Sequence, residues 1–398
     1  MSFISVNNFV SVSVATPPTG LRSYAVNNLA IFTKETPVDG TVTAANPGVY
    51  VSPADVLSDW GASSEVYAQA VAVFAQSPNI LDGGGSLVIF PMQSGDVLTD
   101  AISAGIKVVF FGGALWAGYT PNDAEVLAAA ATVETLQGVK LIASSYLTSS
   151  LTTSTGLFWH VKDSGLKHTR CVLYTVAYGA AANGTTYAAG VVSARLMAAS
   201  YAGRAFSTDF TAPASTSTIH GKTLVGVASD TGITQTILNT CNGTTVGVDT
   251  YPSVGGGAQY LGKVFCTGGN DYFDNVYNLD WLVSALQVAG FNALTTVGTK
   301  IPQTETGMIQ LKSAYIGVLQ QSVANNFVAP GVWNSPELFG SPADLRRSVL
   351  NTGFYIYSQP VNRQAQAQRE QRKAPLVQIA IKFAGAVQSS SVVVNFNP

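Results

Sequence analysis

The stretch Ser86–Ser145, SLVIFPMQSGDVLTDAISAGIKVVFFGGALWAGYTPNDAEVLAAAATVETLQGVKLIASS, decides the fold class. Leu87–Phe90 is a short run of large apolar residues entered from the Gly83-Gly84-Gly85 turn, as expected of a buried strand. Ile106–Phe111 and Val139–Ala143 repeat that pattern and read as two more strands, with a helix over Asp123–Leu136 between them. Apolar strands alternating with helices predict α/β layering with some parallel pairing.

Toward the N-terminus, Tyr24–Thr33 reads as a strand. Ser52 before Pro53 reads as an N-cap, placing a short helix over Asp55–Trp60. A longer helix starts at Ser63/Ser64, with Val66, Ala70, Val73 and Phe74 on one face. Toward the C-terminus, the pattern predicts a helix over Thr152–Lys162, a strand over Arg170–Thr175 and an Ala-rich helix over Tyr187–Tyr201. Short strands at Thr223–Val227 and Thr245–Val248 flank a helix at Ile233–Thr240, and two long amphipathic segments follow, Asn275–Ala289 and Glu305–Asn325. The chain closes with a strand at Gly353–Tyr357, a charged segment Arg363–Lys373, and strands over Val377–Phe383 and Val392–Phe396. At the other extreme, Val10, Val12 and Val14 alternate with serine, and Thr16-Pro17-Pro18-Thr19-Gly20 cuts that strand off as a stiff hinge. Such a strand belongs either to a sheet of its own chain or to an arm. The fold class is a mixed α+β/α/β core with extended N- and C-terminal β-arms.

With 398 residues, two or three packed units are expected at about 100–200 residues each. The hydrophobic fraction of 47 % excludes wholesale disorder, whereas the charged fraction of 11 % is well below the usual value of about 25 %. The outside must therefore be built from Ser, Thr, Asn, Ala and Gly, a surface that leans toward burial against neighbours. A net charge of −2 gives no global attraction to nucleic acid or anionic membranes. The charge is uneven: from Arg346 onward seven basic residues face Glu370 alone, so this tail carries +6 and the remainder −8. Cys171, Cys241 and Cys266 are widely spaced and odd in number, which predicts reduced, buried thiols. No basic region precedes the first apolar residues, so no signal peptide is expected, and the apolar runs are too short to span a bilayer.

Catalytic patterns are missing. Gly83-Gly84-Gly85 leads into Ser86-Leu87 without the lysine of a phosphate loop, and Gly255-Gly256-Gly257 leads into Ala258-Gln259. There is no GxSxG elbow, and His160, His168 and His220 form no metal-binding spacing. Asp271, Asp274 and Asp280 read as acids favoured near a helix start, although paired carboxylates can also serve acid–base work. The sequence assigns no catalytic, cofactor-binding or metal-binding residue, and no cofactor.

Four segments together resemble the contractile tail sheath proteins of bacteriophages: LAIFTKETPVDG leading to YVSPADVLSDWGASSEVYAQAVAVFAQSP within Leu29–Pro78, AAGVVSARLMAASYAGRAFSTDFTAP at Ala188–Pro213, NDYFDNVYNLDWLVSALQ at Asn270–Gln287, and RKAPLVQIAIKFAGAVQSSSVVVNFNP at Arg372–Pro398. They follow in the family's order and span nearly the whole chain.

The resemblance implies a sheath-type core whose subunits form six-membered rings stacked helically around a tail tube. It implies that terminal arms add strands to neighbouring subunits. Val10, Val12, Val14, Val377, Ile379, Ile381, Val392, Val394 and Phe396 are then the arm residues. Expected partners are further copies of the chain, the tail tube protein, and baseplate and tail terminator proteins, with no direct nucleic acid and no membrane insertion. The location implied is the phage tail in the virion, assembled in the host cytoplasm. The role implied is mechanical: contraction drives the tube through the host envelope without an enzymatic step. In sheaths the C-terminal region lies toward the tube, so Arg363, Arg369, Arg372 and Lys373 are the tube-contact candidates. The expected division is an arm (1–18), an N-terminal part of the body (19–95), a central α/β body (96–345), a basic tube-proximal segment (346–375), and C-terminal strands and arm (376–398). Another phage tail or particle protein, or an α/β hydrolase with an unrecognised site, are the alternatives.

Overall fold

The computed structural model describes residues 25–179, 185–243, 245–254, 258–259, 272–296, 298–387 and 390–392. Its centre is a six-stranded sheet. Strand β1 (Leu29–Thr33) is followed by β2 (Gly48–Tyr50), helices α1 (Pro53–Trp60) and α2 (Glu65–Phe74), and β3 (Leu87–Pro91). Then α3 (Leu98–Val108), β4 (Gly113–Ala117), α4 (Asp123–Val133), β5 (Lys140–Ser145), α5 (Leu157–Asp163) and β6 (Thr169–Leu173) alternate. The order across the sheet is β2-β3-β1-β4-β5-β6; all neighbours run parallel except β2, which pairs antiparallel with β3 at the edge. Parallel neighbours need crossovers, and α3, α4 and α5 supply them.

Alternate strand residues feed two cores. Leu29, Ile31, Leu87, Ile89, Leu115, Ile142 and Val172 pack with α1, α2 and α6 (Val191–Ala205). Ala30, Phe32, Val88, Phe90, Trp116, Leu141 and Leu173 pack with α3, α4, α5 and α7 (Gln235–Cys241). Every residue of β1, β4 and β6 is buried, the mark of a sheet covered on both faces. On the second face Phe32 stacks on Phe90 with ring centroids 5.1 Å apart, and Phe111 meets both edge-on. On the first, α2 and α6 approach so closely that a Cβ at Gly203 would lie 2.5 Å from the carbonyl oxygen of Val73.

The β6 edge is closed by its own chain. Leu173 donates to the carbonyl of Asp249, and Asp249 N–H to that of Cys171, so residue 249 adds a single parallel bridge to Val172. The Asp249 carboxylate accepts from Arg170 at 2.6 Å, and both side chains are essentially without solvent exposure. Burial raises the Asp249 pKa to about 6, while the Arg170 guanidinium opposes that rise.

Several expectations are corrected. Residues 106–111 are not a strand: α3 extends through Val108, buries Leu98 and Ile102, and the next strand is β4. Residues 223–227 form no strand, being turned at Gly226 with φ +77°. Residues 245–248 likewise form none, and only Asp249 makes a bridge. The helix expected from Thr152 starts at Leu157, after a 3-10 turn at Thr148–Leu151. The helix expected from Tyr187 starts at Val191, because Gly190 has φ 151°. Val10, Val12, Val14, Val394, Phe396, Cys266 and Asp271 lie outside the described residues.

Urea denaturation of four variants tests this packing. Gly203→Ala should cost about 1–3 kcal/mol, since its neighbour is backbone that cannot turn aside. Gly317→Ala, at a helix position with open space around it, should stabilise by up to about 1 kcal/mol. Arg170→Met should cost about 3–5 kcal/mol by leaving Asp249 buried without its main counter-charge. Adding Asp249→Leu should recover most of that loss.

Candidate functional site

The C-terminal region is built on a helix pair, α8 (Phe273–Thr295) packed on α9 (Glu305–Ala324). The aromatic side of α8 enters the first core: Phe210 stacks on Trp281 at 4.6 Å, and Phe206 meets Phe273 and Tyr277 edge-on. At the base of the sheet, Asp280 of α8 forms an ion pair with Lys140 of β5, which is 1 % exposed. His168 joins them, its Nε2 3.3 Å from Asp280 and its Nδ1 2.8 Å from Glu134 at the end of α4. Burial lowers the His168 pKa, but hydrogen bonds to Asp280 and Glu134 outweigh it and raise the value to about 9. Burial likewise pushes the Asp280 pKa up, and the Lys140 and His168 charges bring it below the ordinary carboxylate value.

Beyond α9, Ser341 caps α10 (Pro342–Thr352) by accepting from Asp344 N–H, and Pro342 opens its first turn. Gly353 ends it in the left-handed conformation, φ 85°, and turns the chain directly into β9 (Phe354–Ser358). Strand β9 pairs antiparallel with β10 (Val377–Ile381), placing Ile356 opposite Ile379. Leu345 and Val349 of α10 and Ala380 of β10 form a small core with Trp333, Phe339 and Tyr355 around it. After β10 the chain pairs on another side: Ala329 N–H donates to Lys382 and Ala384 N–H to Phe327, and Phe327 stacks on Phe383 at 5.0 Å.

Among the described residues this sheet has two strands only, so β9 and β10 each present one edge of backbone donors and acceptors. The expected arm residues Val377, Ile379 and Ile381 are half-buried in β10, paired within the chain to β9, and Val392 is 80 % exposed. The basic residues lie between the two strands. Arg363 follows in a 3-10 turn at Val361–Arg363, and Arg369 is in the short α11 (Gln366–Glu370), with Arg372 and Lys373 just after it. Gln303 and Gln364 side chains bind the carbonyls of Arg369 and Lys373, fixing the backbone there, while Arg363, Arg372 and Lys373 are exposed.

Exposed apolar residues gather in the same region. Of the twenty-one large apolar residues exposed among the described residues, twelve fall after residue 272, in about the last third of the chain. Leu279, Val283, Phe291 and Leu294 form one stripe along α8, and Leu376 and Val387 stand out at 71 % and 91 % exposure. A concentration of this kind marks a surface for partners.

The other candidates do not converge. His160 sits in α5 beside Trp159, His168 at the base of the sheet and His220 in a loop. Asp274 is half-buried at the start of α8, with its pKa raised by desolvation, whereas Asp280 belongs to the Lys140–His168 cluster. Among the described residues no three His, Cys, Asp or Glu side chains gather as a metal site, and no helix is long and apolar enough to cross a membrane. A cavity of about 280 Å³ lies at the C-terminal ends of β4 and β5, lined by Trp116, Ser144, Ser145 and Arg195 among others. Arg195 is held there by Glu65 at 2.5 and 2.6 Å and donates also to the carbonyl of Tyr119. The Lys140–His168–Asp280 cluster was not legible in the sequence; its one signal is a lysine opening an otherwise apolar strand run.

Residues 273–396 match the family described as E217 tail sheath protein gp31-like, C-terminal domain. The match begins with α8 and takes in the helix pair and both strands. Comparison with curated proteins returns no match. Among solved structures, the chain is similar to the helical sheath of the anti-feeding prophage in its contracted state, at 13 % identity and TM-score 0.63 over 99 % of each chain. It is also similar to the contracted sheath complex of the extracellular contractile injection system PVC, at 12 % identity and TM-score 0.60, over 100 % of this chain and 98 % of that one. A chain of the anti-feeding prophage baseplate matches at 14 % identity and TM-score 0.60 over 98 % of each. The mixed α/β architecture and the resemblance to contractile tail sheaths read from the sequence both agree with these findings. The chain has the fold of the contractile-sheath structures it is similar to, and its residues 273–396 match the tail-sheath C-terminal domain model.

Proposed function

We propose that this chain is the structural subunit of a contractile tail sheath, polymerising as stacked hexameric rings around a tail tube and contracting to drive the tube through a host envelope. The observation that carries this reading is the two-stranded β9–β10 sheet inside the region matched by the tail-sheath family. A two-stranded sheet is marginal by itself, and its edges suit strands donated by neighbouring copies. The ends of the chain carry sequences of that kind: Val10, Val12 and Val14 at one extreme, and Val392, Val394 and Phe396 at the other. Added strands bring backbone hydrogen bonds for affinity and alternate side chains for register.

The work is mechanical, stored in the assembly and released as rigid subunits move while their arms keep the mesh connected. On this reading the chain is not an enzyme and needs no cofactor. Its partners are further copies, the baseplate, the tail tube and the tail terminator, and its location is the tail of the particle. The exposed Arg363, Arg372 and Lys373, with Arg369, are the tube contact. Exposed ion pairs of about 0–1 kcal/mol each guide assembly yet release during contraction.

Deleting residues 2–15 should leave a folded, soluble chain that no longer polymerises, since each lost backbone hydrogen bond removes about 0.5–1.5 kcal/mol. Electron microscopy of the truncated protein decides: sleeves at the normal concentration contradict the arm assignment. Arg369→Glu combined with Arg372→Glu should weaken nucleation on purified tubes and leave sheath–sheath pairing intact. Raising salt should weaken wild-type nucleation in the same direction, because the screening length falls to about 3 Å at 1 M. Nucleation indifferent to both changes places the tube contact elsewhere.

A further inference from the structure

We propose that Lys140, His168, Glu134 and Asp280 form a proton-dependent latch that holds α8, and the C-terminal region it begins, against the base of the six-stranded sheet. Four elements meet there: the end of α4 brings Glu134, the start of β5 brings Lys140, the turn before β6 brings His168, and α8 brings Asp280. The cluster is largely shielded from water, with Lys140 1 % exposed, Asp280 17 %, His168 20 % and Glu134 24 %. The Lys140 ammonium also lies 5.4 Å from the Tyr277 ring centroid and donates to the carbonyl of Gly138.

The charge count explains why a proton matters. With His168 charged, two cations face two carboxylates, and each imidazole nitrogen donates to one of them. Removing that proton leaves Lys140 as the one cation of the cluster opposite two partly buried carboxylates. The neutral imidazole keeps one N–H, held on Nδ1 by the shorter contact to Glu134, so its Nε2 turns a lone pair toward the Asp280 carboxylate and Asp280 loses that donor. The penalty falls on the link between α8 and the sheet, because Asp280 is the only member on α8. The aromatic contacts of Trp281 and Tyr277, and the 2.6 Å hydrogen bond from Gln137 to Gln287, do not titrate in this range. Deprotonation therefore loosens the docking of α8 without removing it.

The sign follows from linkage. The folded-state pKa of about 9 lies above the ordinary histidine value of about 6.5. The stabilisation is complete below the lower value and is lost as pH rises through the higher one.

The full chain has three histidines, so selective labelling gives three imidazole signals to follow by NMR. The signal absent from His168→Gln should titrate near pH 9 in the wild type, and Asp280→Asn should bring it back toward about 6.5. The wild-type urea midpoint should fall as pH rises from about 6.5 through about 9, and His168→Gln should not share that fall. If His168→Gln does not fold, Glu134→Gln carries the test by lowering the His168 titration and shrinking the fall. A His168 that titrates near 6.5 in the wild type, or parallel losses of stability in wild type and variant, overturns the latch.

Discussion

A parallel sheet buried on both faces cannot end at its own strands, and that constraint organises this molecule. Strands β1, β4 and β6 expose no residue, so helices must cover each face. The two layers are unequal. Crossover helices α3, α4 and α5, with α7, complete one face, whereas the other needs α1, α2, α6 and the aromatic side of α8. Part of the C-terminal region is thus a layer of the main core, and α8 is both a wall of that core and the first element of the region matched by the tail-sheath domain model. Its inward residues stack on Phe206 and Phe210, and its outward stripe carries exposed Leu and Phe.

Charged groups are few, and the buried ones stand at junctions. Arg170–Asp249 binds the closing segment to the β6 edge, Arg195–Glu65 joins α6 to the start of α2, and Lys140–Asp280 joins α8 to β5. Such pairs are weak sources of net stability, since desolvation offsets their attraction, but an unpaired partner is costly. Their effect is to fix which surface meets which. A slipped helix layer would misplace the β9–β10 edges, and these junctions oppose such slippage.

Much of this was legible from residue pattern. Ser52-Pro53 and Ser64 do cap α1 and α2, and the strands at β1, β3, β5, β6, β9 and β10 follow apolar runs. The failures have physical causes. Residues 106–111 combine β-branched and aromatic side chains, yet α3 runs into them because Leu98 and Ile102 are already committed to the core. That helix is preceded at its N-cap by Val97, which offers no side-chain cap, so no start signal marks it. The true strand, Gly113–Ala117, is rich in Gly and Ala, which have low strand propensity; a Cβ at Gly113 would lie 2.6 Å from the Leu29 side chain. Burial between two layers selected it where local preference did not. Of the site, the exposed basic segment and the strands β9 and β10 could be read, but the pairing of those strands, the small α10 core and the charge cluster are products of long-range packing. Residues 134, 140, 168 and 280 have no spacing that reveals them as neighbours.

The central claim is that β9 and β10 form an incomplete sheet completed by other copies of the chain. A helical reconstruction of the assembled protein tests it most directly. The account predicts sleeves built of six-membered rings, with additional strands from neighbouring subunits running along the β9–β10 sheet. Assemblies in which those edges face solvent, or a protein that remains a discrete particle under conditions that favour polymerisation, would contradict it.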